Sequence, residues 1–485
     1  ISYPIIMTMT SAFNAPFRLC SPLVMLLTGL ITLPQAYAAP PTASASAYAP
    51  GPSRALAFAE AQAMLIQYSP KLAAASAGVQ SKSEQQKSLA LLGGPAVLLT
   101  ADSINYKLDA DINLNRLGAN IGSGNLPLPP VIDLPDVNVK RKGNVHTANA
   151  LVVWPVYTGG KITGAKSFSA AQTDEAVADA RGADAEVYTQ LVTRYFGSQL
   201  AQMAADLRQD AVRAISVHDQ TAQRMWEEGL IAKVERLQTK VALEDAKRQA
   251  EHADHDAKFA AMALQRLLQS DDPIRPSTPL FISQKPLPPL DEFIEAALNN
   301  HPGLAKVAAK KEQAEALHKI DEARWKPSVS VFAQQQLKSN DANRIIGVNV
   351  HWALWSGIDR PSSGRSGQAR IRQAEYTDLQ VREDISLLVE KNWRDVNNAR
   401  QAYFALNSNI ELATEFLRLR QAGLREGVST MSDLIDAQVN LTKSKTERAQ
   451  AANDYVQALI QLLSSAGMPE QFQQYLNLAD ARVKP

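Results

Sequence analysis

The chain has 485 residues, of which 50 are Lys or Arg and 49 are Asp or Glu, so its formal charge is +1. This balance excludes a protein that binds nucleic acid through a cation excess, because no surplus positive charge can displace counterions from phosphate. A hydrophobic fraction of 45% excludes wholesale disorder. The single Cys excludes a disulfide framework and a cysteine-based zinc site.

Residues 1–38 are expected to form a secretory signal peptide. Arg18 precedes the short apolar stretch Leu19–Leu33, and Ala36-Tyr37-Ala38 follows as a cleavage site of the A-x-A type. The stretch is too short to cross a bilayer as a helix. Residues 39–54, rich in Ala, Pro and Ser, are expected to be a disordered lead-in. An exported chain with no second apolar span ends up soluble, secreted, or in a membrane as a β-barrel.

The remaining sequence predicts two unequal repeats, residues 55–270 and 290–467. A proline-rich linker, 271–289, joins them, and a tail, 468–485, follows. Two pairs of segments carry the comparison. They are Trp154-Pro155-Val156-Tyr157-Thr158-Gly159-Gly160 with Trp352-Ala353-Leu354-Trp355-Ser356-Gly357-Ile358, 198 residues apart, and Ser69-Pro70-Lys71-Leu72-Ala73 with His301-Pro302-Gly303-Leu304-Ala305, 232 residues apart. The first repeat therefore has about 34 extra residues between its proline and its tryptophan.

Each repeat is predicted to contain a medium helix, two strands and a long helical hairpin. The first repeat has a helix over about 55–92, strands over about 96–117 and 144–157, and a hairpin over 165–268. The second has a helix over 290–325, strands over 328–337 and 345–355, and a hairpin over 364–466.

The strands show a two-residue period. From Ile104 to Leu114 apolar residues alternate with polar ones, and Ile346 to Leu354 repeats the pattern. This alternation fits a half-buried strand of a soluble sheet as well as a barrel strand with lipid on one side. Trp154, Trp352 and Trp355 lie at strand ends, where a membrane interface favours an indole.

The long helices carry apolar residues at coiled-coil spacing, for example Val389, Val396, Tyr403 and Ile410. A helix of roughly 62 residues is about 93 Å long, so it needs neighbours along its whole length. Four strands cannot close a barrel in lipid, because open edges would remain. Closure therefore requires several chains. Two copies would supply eight strands, and three would supply twelve.

These features resemble the TolC family of outer membrane efflux proteins. The resemblance rests on the duplicated helix–proline and strand–helix segments, on two Glu-Gly tips and on the segment Gly427-Val428-Ser429-Thr430-Met431-Ser432-Asp433-Leu434-Ile435-Asp436-Ala437. It implies a mainly α fold with a transmembrane β-barrel, in which three chains form a twelve-stranded barrel and an α-helical tunnel.

The resemblance also implies a function without chemistry or cofactor. Family members are passive exit ducts of tripartite efflux or type I secretion systems, lie in the outer membrane lipid of Gram-negative bacteria and extend into the periplasm. They are homotrimers that dock onto a periplasmic adaptor and an inner membrane pump. The alternative hypothesis is a soluble periplasmic coiled-coil scaffold or adaptor, although an adaptor would carry one hairpin and many short strands.

Candidate site residues lie at the hairpin tips. The resemblance assigns Asp433 and Asp436 to a periplasmic aperture. Their i, i+3 spacing is compatible with this role, because it puts both carboxylates on one helix face. The simpler interpretation is that they complement a helix dipole. The resemblance assigns adaptor docking to the two tip turns and makes two charged residues candidate gating contacts. The tip turns are Glu228-Gly229-Leu230 and Glu426-Gly427-Val428, and the gating candidates are Glu235 and Arg236.

No other motif supports a site for chemistry. His252 and His255 lie i, i+3 among acidic residues, but the H-E-x-x-H order is absent, and a solvated polar stretch explains them better than a metal. The sequence therefore predicts neither a metal nor an enzyme.

Overall fold

The computed structural model describes residues 54–112, 137–337 and 343–483. The predicted signal peptide and nearly all of the predicted lead-in lie outside the described residues. The strands are β1 (Arg54–Leu56), β2 (Ala96–Ile112), β3 (Val137–Tyr157), β4 (Ile274–Pro276), β5 (Phe281–Ile282), β6 (Ser328–Gln336), β7 (Arg344–His351) and β8 (Ala481–Arg482). The α-helices are α1 (Phe58–Tyr68), α2 (Pro70–Ser88), α3 (Lys161–Glu227), α4 (Lys233–Leu267), α5 (Leu290–Asn300), α6 (Pro302–Ala323), α7 (Arg360–Arg425), α8 (Met431–Ser465) and α9 (Phe472–Leu478).

The first helix of each repeat is divided in two, where the sequence predicted one. The breaks fall at Ser69 and His301, which are extended because each precedes a proline. Pro70 and Pro302 then start the second helices, where a missing N–H costs nothing. The Ser69 hydroxyl accepts a hydrogen bond from the Leu72 amide, and His301 Nδ1 accepts one from the Gly303 amide at 3.1 Å. Both repeats thus cap the break with a side chain.

Strands β2, β3, β6 and β7 form one antiparallel sheet in that order. In the first hairpin Ala96 pairs with Val153, and in the second Ser328 pairs with His351. Ala96 and Ser328 are 232 residues apart, and Val153 and His351 are 198 apart. These are the same two offsets that relate the sequence repeats, so both hairpins share one register. The outer edges of β2 and β7 have no strand beside them among the described residues.

The two hairpins differ in length. β2 and β3 have 17 and 21 residues, whereas β6 and β7 have 9 and 8. β3 pairs with β6 only from Asn149 to Tyr157. Among the described residues, the part of β3 over 137–147 pairs with β2 alone, so the first hairpin extends beyond the sheet, away from the helices. We call this part, 103–112 with 137–146, the hairpin extension.

The two faces of the four-stranded part of the sheet differ in polarity. The Trp154 face is mainly apolar and carries Val97, Leu99, Val152, Val331, Ala333, Ile346, Val348 and Val350. The opposite Gln334 face is mixed and carries Thr100, Asn149, Gln336 and Asn349 beside Leu98, Leu151, Val153, Phe332 and Ile345. Ile104 and Tyr106, which the sequence assigned to the apolar side of β2, lie on the Gln334 face. The alternation changes sides at Ser103, where β2 passes beyond the last residues of β6 and β7.

The long helices run away from the sheet as two antiparallel hairpins. α3 has 67 residues and α7 has 66, which makes each about 100 Å long. The first hairpin is α3 with α4, and the second is α7 with α8. α3 also packs against α6 and α8, so the hairpins support each other along their length. None of the helices within the described ranges has a stretch long and apolar enough to cross a bilayer.

Midway along the hairpins, the predicted linker and tail form part of the core. β4 pairs in parallel with β1, and β5 pairs with β8. Phe58, Phe196, Phe281 and Phe472 are fully buried there and contact one another edge to face or tilted. We call this region the belt. The sequence predicted a linker over 271–289 and a tail over 468–485 because short strands surrounded by proline carry no periodic pattern.

One tyrosine connects the belt to α3 through hydrogen bonds. Tyr195 lies on α3 with its side chain fully buried. Its hydroxyl donates to the Leu56 carbonyl at 2.7 Å and accepts from the amides of Ser277 and Thr278 at 3.1 and 2.9 Å. A buried hydroxyl with every hydrogen-bonding site used holds three chain segments in one geometry.

Candidate functional site

The two tip turns have the same backbone. Gly229 and Gly427 adopt left-handed conformations, with φ of +73° and +74°, which glycine allows without strain. The amide after each glycine reaches back five residues, from Leu230 to the Met225 carbonyl at 2.7 Å and from Val428 to the Gly423 carbonyl at 2.8 Å. This is the Schellman arrangement that ends a helix. Leu230 and Val428 are 66% and 76% exposed, so each tip presents an apolar side chain to its surroundings.

Next to the first tip turn, on the side towards the sheet, a polar network joins α3 to α4. Arg236 donates to Asp219 at 2.5 and 3.4 Å and to Gln223, and the Thr239 hydroxyl donates to Asp219 at 3.2 Å. The side chains of Arg236 and Asp219 are only 17% and 14% exposed. A charge pair in such a place holds the two helices together, because separating it would leave a buried charge without a partner.

This network accounts for one of the two candidate gating residues. Arg236 bridges to Asp219, a residue that sequence reasoning did not select. Glu235 lies beside it, half-buried in the first turn of α4. No sequence signal pointed to Asp219, since 17 residues and a turn separate it from Arg236.

The second tip is held by a capping box. The Asp433 carboxylate accepts hydrogen bonds from the Thr430 amide and hydroxyl at 3.0 and 2.9 Å, and the Thr430 hydroxyl accepts one from the Asp433 amide at 3.1 Å. These bonds, with Arg420 3.7 Å away, hold the pKa of the Asp433 carboxyl below its ordinary value. Asp436 is exposed one turn further along α8. The motif T-x-x-D could have revealed this cap from the sequence.

Apolar side chains join the two tips to each other. Ala222 of α3 packs against Met431, Leu434 and Ile435 of α8, and all four are buried. Leu417 of α7 borders this cluster. Burial of four apolar residues so close to the tips fixes the second hairpin against the first.

At the other end of the long helices, Trp154 and Trp352 occupy equivalent places. The Trp154 indole N–H donates to the Gly93 carbonyl, and that of Trp352 donates to the Trp325 carbonyl, both at 3.1 Å. Gly93 and Trp325 are themselves related by the 232-residue offset. Both indole rings are about half exposed, and Trp355 is 87% exposed. Each repeat thus fixes one indole at the junction of helix and sheet, with the ring on the apolar side.

The histidine pair on α4 forms no metal site. His252 Nδ1 lies 2.9 Å from Asp256 on an exposed face. Within the described ranges, there is no cluster of three or more His, Cys, Asp or Glu residues that could hold a metal ion.

Comparison with known proteins gives this architecture its family. The family model for outer membrane efflux proteins matches residues 293–468. The fold is that of the outer membrane channel CmeC of Campylobacter jejuni (TM-score 0.72, 13% identity, 87% of this chain and 90% of that one). It is also that of the outer membrane protein VceC of Vibrio cholerae (TM-score 0.71, 13% identity, 85% of this chain and 96% of that one).

Residues 293–468 thus carry the outer membrane efflux protein domain, and the described chain has the fold of these channels. Two curated relatives agree with this placement. The alkaline protease secretion protein AprF of Pseudomonas aeruginosa is 23% identical over 311 residues, 59% of this chain and 63% of that protein. The cobalt-zinc-cadmium resistance protein CzcC of Cupriavidus metallidurans is 23% identical over 360 residues, 73% of this chain and 85% of that protein. The chain thus spans less than two thirds of the first relative.

The family and the fold class expected from the sequence are confirmed. The roles of the individual tip residues stay predictions, since likeness at such low identity shows the fold alone.

Proposed function

We propose that three copies of this chain form a passive exit duct of a tripartite efflux or type I secretion system, lying in the outer membrane and extending through the periplasm. One observation carries the proposal: the sheet that the described residues of one chain form has two free edges and one mainly apolar face. A sheet with free edges is not stable in lipid, because its unpaired amides and carbonyls would lie in hydrocarbon. Copies that pair β7 with β2 of the next chain remove every edge, and three copies give twelve strands.

The internal repeat supplies the register of this pairing. Within one chain, Val152 of β3 pairs with Ala333 of β6. The residue 198 positions after Val152 is Val350, and the residue 232 positions before Ala333 is Ala101. By the symmetry of the repeat, Val350 therefore pairs with Ala101 of the next copy. In the single chain both residues are exposed on the Trp154 face, at the two free edges.

Cysteine cross-linking tests the assembly and its register. The only Cys, Cys20, lies in the predicted signal peptide. Directly opposed residues of antiparallel strands have Cβ atoms about 4.5–5.5 Å apart, close to what a disulfide needs. We expect Val350→Cys with Ala101→Cys to give covalent trimers on oxidation of outer membrane fractions.

The matched control moves one cysteine by four residues on the same face. Val350→Cys with Asn105→Cys should stay monomeric on denaturing gels. Cross-linking of the control alone would overturn the register. Recovery of the wild-type protein entirely in the periplasmic soluble fraction would overturn the duct and favour a periplasmic scaffold.

We assign the periplasmic aperture to the second tip, with Asp433 and Asp436 at the constriction. Threefold symmetry gathers six carboxylates, and such a ring attracts cations as charged rings do in channels. The exposure of Asp436 and the fixed position of Asp433 in its cap support this assignment.

Conductance in planar bilayers tests the aperture. We expect cation-selective currents that multivalent cations block from the periplasmic side. Asp433→Asn with Asp436→Asn should weaken that block while keeping an acceptor for the cap. Asp454→Asn, an exposed acid further along α8, serves as control. Unchanged block in the double variant would show that these carboxylates do not line the constriction.

The tip turns are the surface that we assign to a periplasmic adaptor, which couples the duct to an inner membrane pump. Exposed Leu230 and Val428, each beside an exposed glutamate, support this, because an apolar side chain held at a rigid turn can insert between the helices of a partner. We expect the double variant Leu230→Ser with Val428→Ser to form trimers but to lose the adaptor in a pull-down experiment. If the variant still retained the adaptor, the adaptor would bind another part of the chain.

A further inference from the structure

The hairpin extension carries two lysines in an unfavourable arrangement. Lys107 of β2 lies directly opposite Lys142 of β3 in the antiparallel ladder. Like charges at directly opposed positions destabilise a strand pair. Both side chains are exposed, and neither forms an ion pair with another residue in the described part of the chain. A hairpin that places two cations together in this way is stabilised when an anion lies between them.

A third cation extends the same patch. Lys140 lies one pair further along, opposite Asp109, with 3.9 Å between its Nζ and the carboxylate. Lys107, Lys140 and Lys142 share one face of the extension with Asp109 and Asp111, so this face carries three cations and two carboxylates, with the two unpaired lysines on the side nearer the sheet. We call the three lysines the lysine patch.

The lysine patch lies on the Trp154 face. Alternate residues of a strand share a face, so Val97, Leu99 and Ala101 of β2 continue through Ser103 and Asn105 to Lys107. This face is therefore apolar beside the shorter hairpin and becomes polar and then cationic beyond Ser103. In the second hairpin the same face ends at Arg344 and Gln335.

The position of the patch selects its ligand. If the Trp154 face meets lipid, as the proposed function requires, its apolar part ends near Ser103, on the side away from the periplasm. Lys107 lies four residues beyond, about 13 Å along the strand and about 9 Å along the membrane normal at a tilt of about 45°. A lipid headgroup layer is several ångströms thick on each side of the hydrocarbon core. Lys107 and Lys142 therefore lie at the outer margin of this layer, within side-chain reach of the outer-leaflet headgroups.

We propose that the lysine patch binds the phosphate groups of a phosphorylated glycolipid in the outer leaflet, one lipid per chain. A phosphate between Lys107 and Lys142 removes their repulsion and makes charge-assisted hydrogen bonds with both ammonium groups. Lys140 contacts a second phosphate on the same headgroup. This inference rests on the proposed function, because it takes the orientation of the sheet from it.

The test uses purified full-length trimer in detergent and lipopolysaccharide as the probe. Binding is measured by native mass spectrometry against the same glycolipid after enzymatic removal of its phosphates. We expect the wild type to prefer the phosphorylated form on the order of tenfold, which corresponds to about two charge-assisted contacts at an exposed site. Lys107→Gln with Lys142→Gln should abolish the preference.

Two controls make the result specific. Lys161→Gln with Lys233→Gln removes the same charge from exposed positions on the helical side of the molecule and should keep the preference. Inorganic phosphate at millimolar concentration should not displace the glycolipid, because a free anion lacks the lipid contacts along the Trp154 face. Effective displacement would show a free-anion site and overturn the proposal, and so would a preference that survives Lys107→Gln with Lys142→Gln.

The test also separates this proposal from the duct. A wild type that forms conducting trimers without any preference for phosphorylated glycolipid would overturn the lysine patch alone. A wild type that forms no trimer and no conductance would overturn the proposed function, and the proposal would fall with it.

Discussion

The two hairpin tips have the same turn and different means of holding their helices together. In the first, Asp219 and Arg236 form a shielded charge pair between α3 and α4. At the positions 198 residues later, the second tip has Leu417 and Leu434, which belong to an apolar cluster. The first tip is therefore fixed by directional bonds within its own hairpin. The second is held mainly by apolar contacts that reach across to the other hairpin, beside the ion pair of Arg420 with Asp433.

The helix caps at the two tips also differ, and here the second tip has the directional hydrogen bonds. α8 begins at Thr430 with a complete capping box, whereas α4 begins at Ala232 without a side-chain cap. Duplication thus preserved the backbone of the turn while each repeat acquired its own stabilising contacts.

The largest effect is expected from breaking the charge pair. Arg236→Leu leaves the Asp219 carboxylate shielded and unpaired, which should cost about 3 kcal/mol in the free energy of opening of the first tip. Native-state hydrogen exchange of α4 amides near the tip measures this free energy.

The rescue variant copies the second tip into the first. Asp219→Leu with Arg236→Leu should recover most of the loss, because a matched apolar pair replaces the charges. Lys247→Leu, which removes an exposed partner of Glu244, should change the free energy by less than about 1 kcal/mol. A double variant as unstable as Arg236→Leu would show that the charge pair has no apolar equivalent at this tip.

A smaller effect is expected from exchanging the caps. Thr430→Ala should destabilise the start of α8 by about 1 kcal/mol. Ala232→Thr creates T-x-x-E with Glu235 in the first repeat and should stabilise the start of α4 by a similar amount. Hydrogen exchange of the first-turn amides reports both changes. If Ala232→Thr had no effect, the entry of the chain into α4 would differ from that into α8.

The smallest effect is expected from pH. Asp433 has a pKa below its ordinary value of 3.8, because the Thr430 amide and hydroxyl bond to the carboxylate and Arg420 lies nearby. The unfolded state therefore binds this proton more readily than the folded state, and the contribution is full above the ordinary pKa. It is lost as pH falls from about 4 through the lowered pKa of the folded protein.

The exchange of the Thr430 amide, corrected for its intrinsic pH dependence, follows this change. Asp433→Asn should remove the pH dependence while keeping much of the cap. The first tip has no such cap at Ala232 and serves as the internal reference. Equal acid sensitivity of both tips would contradict the assignment.

Much of the fold could be predicted because duplication shows each element twice. The match of Trp154 with Trp352 places the strand–helix junctions, and Gly229 with Gly427 places the turns. The division of the first helices at Ser69 and His301 was also legible from the prolines that follow. A single helix was predicted because the apolar pattern continues on both sides of the break.

The rest depends on contacts that no local pattern records. Asp219 meets Arg236 only when α3 and α4 lie side by side. The belt strands β4, β5 and β8 have two or three residues each, too few for a period. Ile104 lies on the face opposite to that of Trp154 because the alternation in β2 changes sides at Ser103, beyond the ends of β6 and β7, which the pattern of β2 alone does not reveal.

The belt also bears on how such a chain matures. β5 stays without its neighbour until β8, which follows the whole second helical hairpin in the chain, pairs with it, and Phe472 fills the aromatic core at the same stage. A chain folded only as far as α8 therefore lacks the last strand and one of the four phenylalanines of the belt. The belt therefore closes only when both hairpins are present, so the two repeats depend on each other for their shared core.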